Sequence, residues 1–256
     1  MLNGPAGEQE YVLSSLTPEN DVYKLTYNLK AIYMDRDVSL QILDSSNNPI
    51  DLFIQSGDRL IHVDDNTMET SIYDYAAAAK EDTSLSEAEQ AMVDAMYTYG
   101  AYSIKWKYGV IVPEDANELV ATLNKADFEK YKLDEDVSFG DITLAGISLL
   151  LDSNTALKLY FTCSSDVTGH SVTVGGKTLD IHPTGATDLY YVTIGGIAAH
   201  QLTADIPVVF DGRYTITVSP MTYVYYSIED GSVTDDVMNV LKAICAYSDA
   251  AKELKS

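Results

Sequence analysis

Short runs of β-branched and aromatic residues recur along the chain and predict β-strands. Residues 214–218 alternate cleanly between polar and apolar positions, and residues 22–29 and 38–43 are short and rich in Val, Ile, Leu and Tyr, as half-buried strands are. The second half adds strand-like runs at 142–151, 157–163, 171–174 and 178–181. Turns are predicted at 44–49, Gly57-Asp58, Gly175-Gly176 and Asp211-Gly212.

Two longer segments have apolar residues at spacings of three and four, which predict amphipathic helices. The first begins with a capping box, in which Ser86 and Glu89 satisfy each other's backbone amides. Its predicted buried stripe is Met92, Met96, Tyr99, Ser103 and Trp106. The stripe of the second helix is Val237, Leu241, Ile244, Tyr247, Ala251 and Leu254.

The two halves of the chain align with each other in the order of their elements. Residues 23–42 match 191–210, and further on Tyr73 and Tyr75 pair with Tyr223 and Tyr225, and Tyr99 with Tyr247. Such self-similarity predicts an internal repeat. We therefore predict an α+β fold of mainly β character, made of two antiparallel sheet or sandwich modules, each capped by a C-terminal amphipathic helix.

The predicted modules cover residues 1–108 and 133–256, and the sequence leaves open whether the first is complete at its start. A connector at 109–132 joins them, with a short helix expected near Pro113 and an apolar face at Leu119, Val120 and Leu123.

Composition narrows the classes of partner. The chain has 256 residues, 46% of them hydrophobic, which is enough for a core, and a formal charge of -23. This charge repels phosphate backbones and anionic lipids, so we expect neither nucleic acid as a partner nor insertion into a membrane. The sequence also lacks an apolar run of the ~20 residues that a membrane helix needs.

Residues that carry chemistry do not form a known catalytic or metal motif. His62, His170, His182 and His200 are scattered, without the spacing of a zinc site. Cys163 and Cys245 are more readily explained as two buried small side chains than as a disulfide. We therefore expect no enzyme activity and no cofactor, with calcium as the possible exception.

Calcium candidates are two groups of oxygen ligands. Asp44, Ser46 and Asn48 have the alternate spacing of a calcium loop, but Pro49 stands where such a loop needs glycine. The second group contains Asp134, Asp136 and Asp141. Polar turns explain both groups more simply.

The aromatic composition favours carbohydrate binding among the possible functions. The chain has 19 Tyr, 5 Phe and one Trp, and a sugar face stacks on an exposed ring while a phenol adds a hydrogen bond. Tyr102, Trp106 and Tyr108 come together at the end of the first helix. They are the predicted ligand-binding residues, although aromatic residues at helical spacing are more often core.

Several segments resemble a known class of repeat. The runs SIYDYA at 71–76, AMYTYGAY at 95–102 and LKAICAYSDAA at 241–251 resemble repeat regions of large cell-surface proteins of anaerobic Gram-positive gut bacteria. The chain departs from that pattern at Ser103-Ile104, where the repeats tend to have Ala-Gln. The resemblance implies an extracellular module attached to the cell surface through a larger parent protein, and it implies no catalytic residues.

Three functions are compatible with the sequence. The first is a non-catalytic extracellular surface module for adhesion, binding or spacing, whose partner is a polysaccharide or another surface or protein. The second is a carbohydrate-binding protein that recognises glucan, starch or plant fibre. The third is a hydrolase with an unrecognised site, for which a pocket with perturbed carboxylates or a histidine is expected.

Overall fold

A computed structural model describes residues 1–20, 22–56, 59–134, 137–151, 155–231 and 233–255. In these ranges the chain combines antiparallel β-sheets with five α-helices, which confirms the predicted mixture of helices and antiparallel strands. The predicted turn at Gly57-Asp58 and the calcium candidate Asp136 lie outside the described residues.

Short strands form two small sheets in the first half of the chain. The strands are β1 (Leu2–Gly4), β2 (Gly7–Gln9), β3 (Val38–Leu40), β4 (Phe53–Ser56), β5 (Arg59–His62) and β6 (Met68–Thr70). One sheet has the order β2-β1-β3-β6, and β4 and β5 form a separate hairpin. β1 pairs with β3, so the N-terminal strand is joined to the sheet.

The prediction of a strand over residues 22–29 was wrong. The segment has no strand, and an isolated bridge joins Val22 to Glu19. Side chains anchor it instead, because the Tyr27 hydroxyl donates to the Gly7 carbonyl at 2.6 Å and the Tyr11 hydroxyl donates to the Thr26 carbonyl. These bonds use backbone acceptors that a strand would offer to a neighbouring strand.

The second half contains two larger antiparallel sheets. Their strands are β7 (Ser138–Phe139), β8 (Ile142–Leu151), β9 (Thr155–Cys163), β10 (Val172–Val174), β11 (Lys177–Leu179), β12 (His182–Pro183), β13 (Leu189–Ile197), β14 (Ile206–Phe210) and β15 (Tyr214–Val218). The orders are β12-β13-β9-β8-β7 and β11-β10-β14-β15. The predicted strands at 142–151 and 214–218 have the observed bounds.

Aromatic residues from these two sheets meet in the main core. Phe161 of β9 and Phe210 of β14 are fully buried, with ring centroids 5.6 Å apart and planes at 86°, an edge-to-face arrangement that aromatic pairs favour. The same buried cluster includes Met34 and Tyr99 from the first half. The predicted division into modules stays a prediction, but both predicted modules contribute residues to this core.

The helices begin and end at the residues that their caps specify. They are α1 (Ile72–Lys80), α2 (Glu87–Tyr108), α3 (Lys125–Phe128), α4 (Pro220–Asp230) and α5 (Asp235–Glu253). The predicted capping box forms, since the Ser86 hydroxyl accepts the Glu89 amide while the Glu89 carboxylate accepts the Ser86 amide. The connector helix lies later than predicted, because Pro113 starts only a turn and α3 begins at Lys125.

The two long helices pack against each other. Tyr99 of α2 stacks on Tyr247 of α5, with ring centroids 5.7 Å apart and planes at 12°. Lys105 pairs with Asp236 at 3.5 Å near the start of α5. The two helices therefore run antiparallel along this contact.

The same kinds of element stand at aligned positions of the two halves. Short 3-10 helices occur at Ala31–Tyr33 and at Ala199–Gln201, and each is followed by an antiparallel strand pair and two helices. The internal repeat remains a prediction, and this element order agrees with it.

Candidate functional site

The predicted aromatic residues lie on the last two turns of α2. Tyr102 is half-buried and packs against the main core, whereas Trp106 is 46% exposed and Tyr108 is 44% exposed. The prediction that Trp106 continues the buried stripe was therefore wrong. α5 begins at Asp235 and already pairs with Lys105 through Asp236, so it supplies little cover for the last turn of α2.

Several side chains fix the end of α2. Gly109 ends the helix in the left-handed conformation at φ 69°, and its amide donates to the Lys105 carbonyl, a common helix termination. The Arg36 guanidinium lies 6.0 Å from the centre of the Tyr108 ring, and desolvation together with the neighbouring Tyr33 raises the pKa of the Tyr108 hydroxyl. Tyr108 is thus oriented by neighbours although its ring faces solvent.

The exposed apolar surface continues beyond the helix. Val110 is 46% exposed and Ile111 is 93% exposed. Consecutive exposed residues of this kind are less common on a monomer than isolated ones. We call Trp106, Tyr108, Val110 and Ile111 the aromatic end of α2.

Among the described residues, the two groups of calcium candidates do not form one common cluster. Asp44 serves its own turn, since its carboxylate accepts the amides of Ser46 and Asn48 at 2.8 and 2.9 Å, and these bonds lower its pKa. Asp134 is exposed on the segment before β7. Asp141 lies elsewhere, in the turn before β8. Calcium binding at these residues stays a prediction.

A second group of side chains, which we call the His170 cluster, lies where four strand ends meet. It consists of Asp141, Cys163, Ser165, His170 and Asp211. Strand pairing creates it: Ile142 at the start of β8 pairs with Cys163 at the end of β9. Likewise Val172 at the start of β10 pairs with Phe210 at the end of β14. The cluster thus includes residues at the ends of both large sheets.

The imidazole of His170 lies between two carboxylates. Its Nδ1 is 2.8 Å from Asp211 Oδ2, and its Nε2 is 3.3 Å from Asp141 Oδ2. The His170 side chain is 14% exposed. The other oxygen of Asp211 accepts the Ser171 amide at 2.8 Å, which fixes the carboxylate relative to β10.

These contacts shift the pKa of each group in the expected direction. The hydrogen bond with Asp211 is the main cause that raises the pKa of His170; Asp141 adds to it, and partial burial opposes it. The Ser165 hydroxyl is the main cause that lowers the pKa of Asp141. Partial burial would raise the pKa of Asp211, but the Ser171 amide and His170 together outweigh it and lower this pKa.

The order Asp211, His170, Ser165 resembles a catalytic triad, but the hydrogen bonding does not activate the serine. Ser165 Oγ is 3.4 Å from His170 Nε2, while the same hydroxyl donates to Asp141. A general base must accept the serine proton through Nε2. Here Asp141 faces that nitrogen and accepts from the protonated ring, so Nε2 is not available as a base for Ser165.

The sequence analysis missed this cluster because its members are far apart in the chain. Cys163 and His170 were not expected to be neighbours, and Asp141 was assigned only to a calcium group. The signal was in the predicted strands, since antiparallel pairing of 142–151 with 157–163 brings Asp141 beside the end of the second strand. What the sequence did not show is that β10 and β14 bring their ends to the same place.

Within the described ranges, no helix is long and apolar enough to cross a membrane, and the Cys163 and Cys245 thiols are both free. Comparison of the chain with protein families, with curated proteins and with solved structures finds no match.

Proposed function

We propose that the chain is a non-catalytic, extracellular binding module of a larger cell-surface protein, and that a polysaccharide is its ligand. One observation carries this proposal: Trp106 and Tyr108 are about half exposed at the end of a long, well-packed helix. The two-module arrangement, with antiparallel sandwiches capped by helices, belongs to the same proposal.

Ring stacking explains why these residues suit a sugar. Burying an exposed aromatic ring against an apolar sugar face removes a large apolar area from water, while the Tyr108 hydroxyl can form a hydrogen bond. The aromatic end of α2 is held in place because the preceding turns of the helix pack on α5. An uncharged ligand also avoids repulsion from the net charge of -23.

The surface location is supported by the resemblance to repeats of cell-surface proteins and by the strongly acidic composition. A spacing role without a ligand leaves the exposed rings of Trp106 and Tyr108 without a purpose. A hydrolase is less well supported, because the Ser165 hydroxyl is engaged by Asp141 instead of being available to His170.

The single tryptophan makes a direct binding test possible. Soluble glucan, xylan and mucin are titrated against the chain while Trp106 fluorescence is recorded, and retention on insoluble starch and cellulose is measured in parallel. We expect one polymer to shift the emission and to retain the chain. Trp106→Ala and Tyr108→Ala should each lower the retained fraction of the chain at least tenfold. Tyr75→Ala is the control, because it removes a 61% exposed tyrosine from α1, and it should leave retention unchanged.

The variants must keep the native circular dichroism spectrum, so that lost retention reports on the site. Retention that survives Trp106→Ala and Tyr108→Ala would place any sugar site elsewhere. If the chain binds none of these polymers, the polysaccharide proposal fails and a spacing or protein-binding module remains. Release of reducing sugar from any polymer would contradict the non-catalytic assignment.

A further inference from the structure

The His170 cluster contains the donor atoms of a transition-metal site. Asp141 offers a carboxylate oxygen, Cys163 its Sγ and His170 its Nε2, and these atoms all lie within 4.8 Å of one another. Sulfur, imidazole and carboxylate donors are the set that Zn²⁺ binds, whereas Ca²⁺ prefers oxygen alone. The donor set therefore favours Zn²⁺ over the calcium for which Asp141 was a candidate.

The spacing is close to what a bound ion requires. With Zn²⁺ ligands at 2.0–2.3 Å, tetrahedral geometry places neighbouring ligand atoms about 3.3–3.8 Å apart. Asp141 Oδ2 and His170 Nε2 already lie 3.3 Å apart. The ion would need side-chain adjustments of about 1 Å, which rotamer changes provide without moving a strand.

Asp211 orients the histidine as the outer carboxylate of a metal site does. It holds His170 Nδ1 at 2.8 Å, so Nε2 points toward Asp141 and Ser165. Metal-ligating histidines usually donate their second nitrogen to a carboxylate or carbonyl in this way. Asp211 is itself fixed by the Ser171 amide, so the imidazole is held in place from β10.

The cluster is enclosed but reachable. Cys163 is fully buried, and its Sγ lies 3.7 Å from Ser165 Oγ. The Asp141 side chain is 33% exposed, which leaves a path from solvent. Thiolate and carboxylate together neutralise the charge of a divalent ion, which lowers the cost of burying it.

We infer that Asp141, Cys163 and His170 bind one Zn²⁺ ion, with Asp211 as a positioning residue and the Ser165 hydroxyl or a water as the fourth ligand. The bound ion ties the start of β8 and the end of β9 to the start of β10, and so connects the two large sheets at one end. This inference is independent of the proposed polysaccharide site, which lies on α2.

The test uses the full chain, reduced and stripped of metal with a chelator. Zn²⁺ is titrated by calorimetry, and Co²⁺ is used as a spectroscopic probe because a thiolate ligand gives a charge-transfer band in the near ultraviolet. We expect one ion per chain, a thiolate band with Co²⁺, and a higher Tm with Zn²⁺, because an ion that binds only the folded state stabilises it.

The variants separate this site from other thiols and histidines. Cys163→Ser should abolish the thiolate band, and His170→Gln and Asp141→Asn should each weaken Zn²⁺ binding at least tenfold. Asp211→Asn should weaken it about 10- to 100-fold while the thiolate band persists. Cys245→Ser and His182→Gln are the matched controls and should bind as the unmodified chain does.

Because Cys163 is buried and its replacement can impair folding, the partly exposed Asp141 provides the second test. The inference is overturned if the folded chain binds no Zn²⁺ at micromolar concentration, or if the Co²⁺ complex lacks a thiolate band. It is equally overturned if Asp141→Asn and His170→Gln bind Zn²⁺ as tightly as the two controls.

Discussion

Replacing Tyr99 by alanine should destabilise the whole chain, because Tyr99 joins α2 to α5. Its side chain is 7% exposed and stacks on Tyr247. Removing a buried aromatic side chain costs about 3–5 kcal/mol, which includes the cavity left behind. The stacked pair accounts for about 0.5–1.5 kcal/mol of this loss. We therefore expect the free energy of unfolding to fall by about 4 kcal/mol.

Urea denaturation followed by circular dichroism measures this loss, and the Tm should fall by on the order of 10 °C. Tyr75→Ala is the matched control, since Tyr75 is 61% exposed on α1 and a surface substitution changes stability by about 0.5 kcal/mol or less. A double-mutant cycle with Tyr247→Ala isolates the pair, with an expected coupling of about 0.5–3 kcal/mol. A loss below about 1 kcal/mol for Tyr99→Ala would refute the view that this contact holds the helices together.

Three further predictions concern stability. The Tyr73 hydroxyl is buried without a hydrogen-bond partner among the described residues, so Tyr73→Phe should raise the free energy of unfolding by about 1 kcal/mol. Urea denaturation measures this free energy, and a lower value for the variant would show that the hydroxyl has a partner. Ser86→Ala removes the cap of α2 and should cost about 1 kcal/mol, measured in the same way. The Ser86 amide and hydroxyl lower the pKa of Glu89, so its contribution is present above the unfolded pKa of about 4.3 and is lost as pH falls through the lower folded pKa. The stability difference between the native chain and Glu89→Gln should therefore shrink on acidification, and a difference that stays constant from neutral to acidic pH would contradict this.

Local sequence patterns predicted the elements whose bounds depend on residues close together in the chain. Residues 142–151 and 214–218 form strands with the predicted bounds because alternation and β-branched residues specify both pairing and face. The capping box marked the start of α2 because it depends on residues three positions apart.

Features that depend on distant partners were not predictable in this way. Residues 22–29 have the composition of a strand but do not pair with one. Instead, the Tyr11 hydroxyl donates to the Thr26 carbonyl and the Tyr27 hydroxyl donates to the Gly7 carbonyl. Trp106 has the spacing of a buried residue, yet α5 begins too late to cover it. His170 meets Asp141 and Asp211 only because two sheets end at the same place.

The stacking of Tyr99 on Tyr247 has a meaning beyond stability. The two residues occupy corresponding positions in the predicted alignment of the two halves, so at this point each predicted repeat presents a tyrosine to the other. In a homodimer, a side chain on the two-fold axis meets its own copy in this manner. Here one chain carries both partners, so their contact does not depend on how dilute the protein is. The two partners are also encoded separately, so one half can change its sequence while the other keeps its own, which the identical subunits of a homodimer cannot do.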